Sequence, residues 1–216
     1  MSKFKGLRQA SHFGPTLIVT SIAFAFGTYY WWEGPAYVIA FTVATGQLVV
    51  GWSNDLYDFE DDLQHNRTNK PLVSGLISQK YLQRWLTFMV PFSFFANMFG
   101  PLGFKGGMVY MLGIGCGVAY NFYFKFSALS PLPYAIAFAA LPSSIAISKD
   151  ITPPVWMWLG GALFGMAAHF INVIKDMEQD QVSGINGLPQ RLGTKKSIAV
   201  AAALIAAGVL AIFFSR

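Results

Sequence analysis

Seven long apolar runs limit what this chain can become. They cover roughly residues 15–32, 35–53, 81–99, 106–124, 129–148, 154–175 and 197–214 of the 216. Each is close to the roughly 20 residues a helix needs to cross a hydrocarbon core. The expected fold is therefore all-α: a polytopic transmembrane helix bundle of about seven spans. Composition supports this reading. Charged residues make up only 12% of the chain, against about 25% in a soluble domain. The 20 Phe, 9 Tyr and 6 Trp are too much apolar surface for a disordered chain. A single cysteine, Cys116, excludes a disulfide scaffold, and no zinc-type Cys/His spacing is present. The N-terminal run contains a small-x-small Ala23-Phe24-Ala25, but it continues apolar towards Trp32. It reads as a first span and not as a cleaved leader.

Basic residues mark the cytoplasmic side of a membrane protein. With the N-terminus inside, twelve of the 15 Lys and Arg fall on that side, and only Lys105, Lys149 and Arg216 fall outside. Two longer joints, about 54–80 and 176–196, then face the cytoplasm of the cell membrane. The net charge of +5 reflects this bias and suits anionic lipid headgroups. No basic–aromatic pattern points to a nucleic-acid partner.

Those two joints hold eight of the ten Asp and Glu residues. The first reads Asn54-x-x-x-Asp58-x-x-x-Asp62 and the second Asn172-x-x-x-Asp176-x-x-x-Asp180. Spacings of four put each trio on one slowly drifting helical stripe. His169 stands one turn before Asn172, as an interior hydrogen-bonded histidine or as a support to the stripe. His12 and His65 carry no signal. The expectation is two helix ends aiming carboxylates at a common place near the membrane surface.

Two carboxylates about 6 Å apart repel by about 3 kcal/mol at an effective dielectric of 20. Protonation, an arginine or a divalent cation must offset this. An oxygen-only donor set of Asn and Asp suits Mg²⁺ or Ca²⁺ and not zinc. The expected metal residues are Asn54, Asp55, Asp58, Asp62, Asn172, Asp176 and Asp180. Mg²⁺ commonly joins one or two carboxylates to substrate phosphates, and two facing clusters can hold two such ions with a diphosphate between them. Asn54, Arg67, Lys70, Lys125 and Arg191 are the candidate diphosphate contacts, arginine for bidentate binding and lysine as a point charge. Glu60, Asp61 and Glu178 are expected to face water.

The paired motifs resemble those of the UbiA superfamily of intramembrane prenyltransferases. Asn54-Asp55-Leu56-Tyr57-Asp58-Phe59-Glu60-Asp61-Asp62 fits that family's NDxxDxxxD pattern. Arg67-Thr68-Asn69-Lys70-Pro71-Leu72-Val73-Ser74-Gly75 resembles its basic segment, and Asp176 to Asp180 with Gly184 resembles its DxxxDxxxG pattern. Tyr120 and the stretch from Asn121 to Lys125 fall where the family has a Tyr and a basic residue. The resemblance implies Mg²⁺-dependent transfer of a prenyl group from a prenyl diphosphate to an aromatic or lipid acceptor within the membrane. It implies catalytic roles for Asp58, Asp62, Asp176 and Asp180. It also implies nine helices, so residues 1–216 read as one UbiA-like domain that is C-terminally short, as a fragment or a short variant. Spans five to seven repeat spans one to three, which leaves span four without a partner.

Three other readings fit the same residues. A terpene cyclase of this superfamily would ionise the same diphosphate and quench the cation internally. A divalent-cation transporter would use intramembrane acids, but transporters bind near the bilayer midplane and these acids sit at its edge. An inactive membrane scaffold would keep the fold without turnover.

Overall fold

The computed structural model describes residues 3–215. Arg216, one of the three basic residues assigned to the outer side, lies outside the described residues. All seven apolar runs form helices. They are α2 (Phe13–Tyr30), α3 (Glu33–Tyr57), α5 (Gln79–Phe99), α6 (Gly103–Phe122), α7 (Pro131–Ile147), α8 (Val155–Val182) and α10 (Thr194–Phe214). Two short helices were not foreseen, α1 (Lys3–Ala10) and α9 (Leu188–Leu192), while a third, α4 (Phe59–Gln64), carries the end of the first acidic stripe. No strand occurs among the described residues.

By length and apolarity α3, α8 and α10 each suffice to cross a membrane, and α1 with α2 suffice as a pair bent by 68°. The other helices fall short for visible reasons. Lys80 and Arg84 open α5, glycine recurs through α6, and α7 has only 17 residues. Helix α2 runs unbroken through Ala23-Phe24-Ala25.

The chain forms two compact units, residues 1–107 and 108–216. In the first, α3 is the central helix, packed on α2 and α5, with α1 and α4 against it. The Trp52 Nε1–H of α3 donates to the Leu7 carbonyl of α1 at 3.0 Å. Asn97 of α5 is fully buried, and its Nδ2 donates to the carbonyls of Thr42 at 3.1 Å and Ser93 at 2.8 Å. That contact ties α5 to α3 where an unpaired amide would be costly.

In the second unit α8 is central, packed on α7 and α10, with α9 against α8 and α10. Gly161 and Gly165 put α8 so close to α7 that an added Cβ on either would strike the backbone carbonyls of Phe138 or Tyr134. Small residues spaced by four are a common means of close helix approach in membranes. The order long, long, short, long of α2–α5 thus recurs in α7–α10, as the acidic register suggests. The unit boundary falls inside α6 and not after it, so the sequence repeat and the compact units do not divide the chain at the same residue.

Candidate active site

The first acidic motif starts in α3 and ends in α4. Helix α3 continues past the expected end at residue 53, because neither Gly nor Pro interrupts 54–64. Asp58 joins the two helices at φ −82° and ψ −4°, still right-handed. Helical bonds cross it, from Asp58 N–H to Asn54 O at 2.9 Å and from Asp62 N–H to Asp58 O at 2.8 Å. The expected stripe therefore exists. Asn54 Nδ2 donates to Asp58 Oδ2 at 2.8 Å, which orients one side chain of the stripe with another.

Cations from the following segment return to this stripe. Asp55 is 2% exposed, and its Oδ1 accepts from Lys70 Nζ at 2.9 Å and lies 3.2 Å from His12 Nε2. Asp62 is equally buried; its Oδ1 accepts from Arg67 Nη1 at 2.7 Å, and its Oδ2 is 3.8 Å from Lys70 Nζ. Burial pushes the Asp62 carboxyl above its usual range, and Lys70 and Arg67 pull it part of the way back. For Lys70, burial alone would lower the ammonium, but the charges of Asp55, Asp62 and Asp58 outweigh it and hold it above its ordinary value. Of the offsets named above, the arginine is present as Arg67, and Lys70 joins it. Arg67 and Lys70, expected as diphosphate contacts, stand as partners of the acids.

Asp61 departs from expectation. It does not simply face water, since Arg67 Nη1 lies 3.3 Å away and His65 Nδ1 3.2 Å away. Glu60 and Glu178 are exposed as expected.

The second motif lies wholly within α8, which runs on past residue 175 to Val182. Asn172 and Asp176 are exposed and Asp180 is half-buried. Gln190 Nε2 donates to Asp180 Oδ2 at 2.8 Å. The interior reading of His169 holds: it is 1% exposed, its Nε2 lies 3.0 Å from Ser130 Oγ, and its ring packs against Tyr120 and Tyr134. Lys125 is buried in the 3₁₀ turn Phe124–Phe126, with Nζ 5.3 Å from the Phe126 ring centroid. Arg191 is exposed, and its Nε donates to the Asn186 carbonyl of its own loop at 2.9 Å.

Both motifs end alike. Helix α8 closes with Gly184 N–H on Gln181 O at 3.2 Å and Ile185 N–H on Asp180 O at 2.9 Å, around Gly184 at φ 71°. Helix α4 closes with Asn66 N–H on Leu63 O at 3.1 Å and Arg67 N–H on Asp62 O at 2.9 Å, around Asn66 at φ 52°. This double bond pattern is the Schellman motif, which needs a left-handed residue that Gly, or less readily Asn, supplies. Each terminal acid, Asp62 and Asp180, therefore occupies the same place in a capped last turn. An added Cβ at Gly184 would meet nothing within 4 Å, so only its backbone matters there. Gly184→Ala is expected to lose about 1 kcal/mol of stability through the left-handed strain, and Gly184→Asn distinctly less. Thermal melting of the two variants checks this; equal melting of Gly184→Ala and wild type would contradict it.

Sequence reasoning missed His12, Ser130 and Gln190. His12 reaches Asp55 across 43 positions from a left-handed residue, φ 50°, between α1 and α2. Nothing in its neighbourhood along the chain marks that contact.

The residues expected to hold metal form no ready-made cage: among the described residues no group of three or more His, Cys, Asp and Glu side chains that could hold a metal ion is found. The reason is geometric, since spacings of four lay the acids along a helix and not around a point. The donor chemistry nevertheless fits Mg²⁺, which needs only one or two protein carboxylates when phosphates supply the rest. Asp55 Oδ2 is buried without a hydrogen-bond partner, an orphaned oxygen of the kind a cation satisfies.

The comparisons agree with this architecture. The model of the UbiA prenyltransferase family matches residues 13–215. A curated relative, digeranylgeranylglyceryl phosphate synthase of Sulfolobus acidocaldarius, is 24% identical over 77% of this chain and 59% of its own length. The chain thus spans less than two thirds of that relative. The UbiA homologue of Archaeoglobus fulgidus bound to DMAPP and Mg²⁺ matches with a TM-score of 0.83 at 15% identity, over 97% of this chain and 77% of that one. The same homologue bound to GPP and Mg²⁺ matches with a TM-score of 0.78 at 16% identity, over 97% and 76%. With the fold, the two capped acidic motifs and the family match together, the chain belongs to the UbiA prenyltransferase family.

Proposed function

We propose that this chain is a UbiA-like prenyltransferase domain over residues 1–216. It transfers a prenyl group from a prenyl diphosphate to an aromatic or lipid acceptor within the membrane. The observation that carries this reading is the pair of acidic motifs in one register, each ending in the same capped turn, within a family match over 13–215. The solved relatives bound to DMAPP or GPP with Mg²⁺ support the substrate class and the metal. Asn54, Asp55, Asp58 and Asp62 in the first motif, and Asn172, Asp176 and Asp180 in the second, are the residues that would hold Mg²⁺. Bound there, Mg²⁺ would neutralise the negative charge that builds on the departing diphosphate.

The side chains divide the remaining work. Asn54 orients Asp58 through its amide. Lys70 and Arg67 hold the buried Asp55 and Asp62 carboxylates in place through ion pairs. When a diphosphate arrives, the same ammonium and guanidinium can share their hydrogen bonds with phosphate oxygens. Lys125 and Arg191 are further candidates for that contact. Heterolysis of the carbon–oxygen bond leaves an allylic carbocation, which aromatic ring faces stabilise. The acceptor then attacks and loses a proton. The basic-residue bias supports a multi-pass cell-membrane protein with its N-terminus and both motifs on the cytoplasmic side.

The test is diphosphate release from geranylgeranyl diphosphate by membranes containing this chain, with and without Mg²⁺. Release only with Mg²⁺ is expected. Absence of release with this and with shorter and longer donors would overturn the reading. The name of the curated relative makes a glyceryl phosphate lipid the first acceptor to try. A hydrocarbon or cyclic alcohol formed without any acceptor would assign the chain to cyclisation instead.

A further inference from the structure

The two terminal acids are each held by a nitrogen donor from downstream, but the donors differ in charge. Asp62 takes its bond from the Arg67 guanidinium at 2.7 Å, and Asp180 takes one from the neutral amide of Gln190 at 2.8 Å. Gln190 is 9% exposed. It stands on α9, a five-residue helix too short to hold itself in place. Buried side chains hold it instead. Ser130 Oγ accepts from Leu188 N–H at 3.0 Å, and Ser197 Oγ donates to the Pro189 carbonyl at 3.1 Å. Ser130 and Ser197 are both fully buried, and Ser130 is itself fixed by His169 at 3.0 Å. Gly187, at the start of α9, lets these groups close in: an added Cβ would lie 2.7 Å from Ser130 Oγ and 2.8 Å from Gln190 Oε1.

We propose that Gln190 is a positioning residue for Asp180, and that Ser130 sets Gln190 by pinning α9. The inference rests on the diphosphate reading for what Asp180 does. A hydrogen bond from a neutral amide orients a carboxylate without itself adding a positive charge beside it. Groups that orient a ligating carboxylate in this way are commonly worth 10- to 100-fold in metal affinity.

The test is Mn²⁺ binding followed by electron paramagnetic resonance, on the full chain in detergent or nanodiscs, with inorganic pyrophosphate as the anion. Gln190→Leu is expected to weaken Mn²⁺ binding about tenfold, while its melting temperature stays close to wild type. The KM for geranylgeranyl diphosphate at saturating Mg²⁺ should change less than about twofold, since Gln190 acts through Asp180 and not on the donor. Ser130→Ala leaves Gln190 intact and should weaken Mn²⁺ binding in the same direction by a smaller factor, about threefold. It also serves if Gln190→Leu does not fold. Wild-type Mn²⁺ affinity in a folded Gln190→Leu, or in Ser130→Ala if that variant alone folds, would overturn the inference and leave the diphosphate reading standing. Failure of the wild type to bind Mn²⁺ with pyrophosphate would overturn both.

Discussion

Replacing Asp58 or Asp176 by asparagine is expected to abolish Mg²⁺-dependent diphosphate release, with a loss of at least about 10³-fold. Asparagine keeps the size of the side chain and most of its hydrogen bonding, so the loss isolates the charge. Removing even one neutral donor to a developing anion typically costs about 10² to 10³ in rate, and a carboxylate that would ligate the metal contributes more. The two positions probe different settings. Asp58 is half-buried at the α3–α4 junction and accepts from Asn54. Asp58→Asn therefore also disturbs a neighbour, and Asn54→Ala should reproduce part of its effect. Asp176 is exposed on α8, so Asp176→Asn leaves packing intact and its melting temperature should match wild type. Release rates from geranylgeranyl diphosphate, measured across a Mg²⁺ series, decide the matter. Wild-type rates in either variant would remove that residue from the metal set.

Much of the fold is legible in the sequence because lipid imposes a single solution on an apolar run: it must satisfy its backbone internally, as a helix. That is why the seven runs coincide with seven long helices. It is equally why α1 and α9 escape notice, since helices this short carry no length signal. The acidic stripes are legible because a spacing of four has one meaning on a helix. The partners of those stripes divide by distance along the chain. Arg67 lies five residues from Asp62, and the capped turn between them is written in Asn66. The link from Gln190 to Asp180 needs the α8 cap at Gly184, the loop after it and Ser130 just before α7. No spacing rule spans those three elements. The contact of Asp61 with Arg67 and that of His12 with Asp55 show the same limit, for each depends on a turn whose geometry only the folded backbone fixes.

Lys70→Met is expected to destabilise the protein by about 3–5 kcal/mol, the usual cost of leaving one member of a buried ion pair alone. Asp55 is 2% exposed and Asp62 likewise, while Lys70 bonds the first at 2.9 Å and approaches the second at 3.8 Å. Methionine preserves the length and most of the apolar stem, so the loss reports charge and not packing. His12 can offset part of it: its Nε2 is 3.2 Å from Asp55 but its side chain is 40% exposed, which screens the pair. At roughly 2–4 °C per kcal/mol for a chain of this size, the melting temperature should fall on the order of 10 °C. The double variant Asp55→Asn with Lys70→Met distinguishes the causes. If the uncompensated carboxylate is the cause, the double variant melts well above Lys70→Met alone, with a coupling of at least about 1 kcal/mol. If it melts no higher, the pair does not hold the segment to α3. Both variants should lose diphosphate release, because Lys70 is also among the groups offered to the phosphate, so stability and turnover separate in the double variant: folding recovers and activity does not.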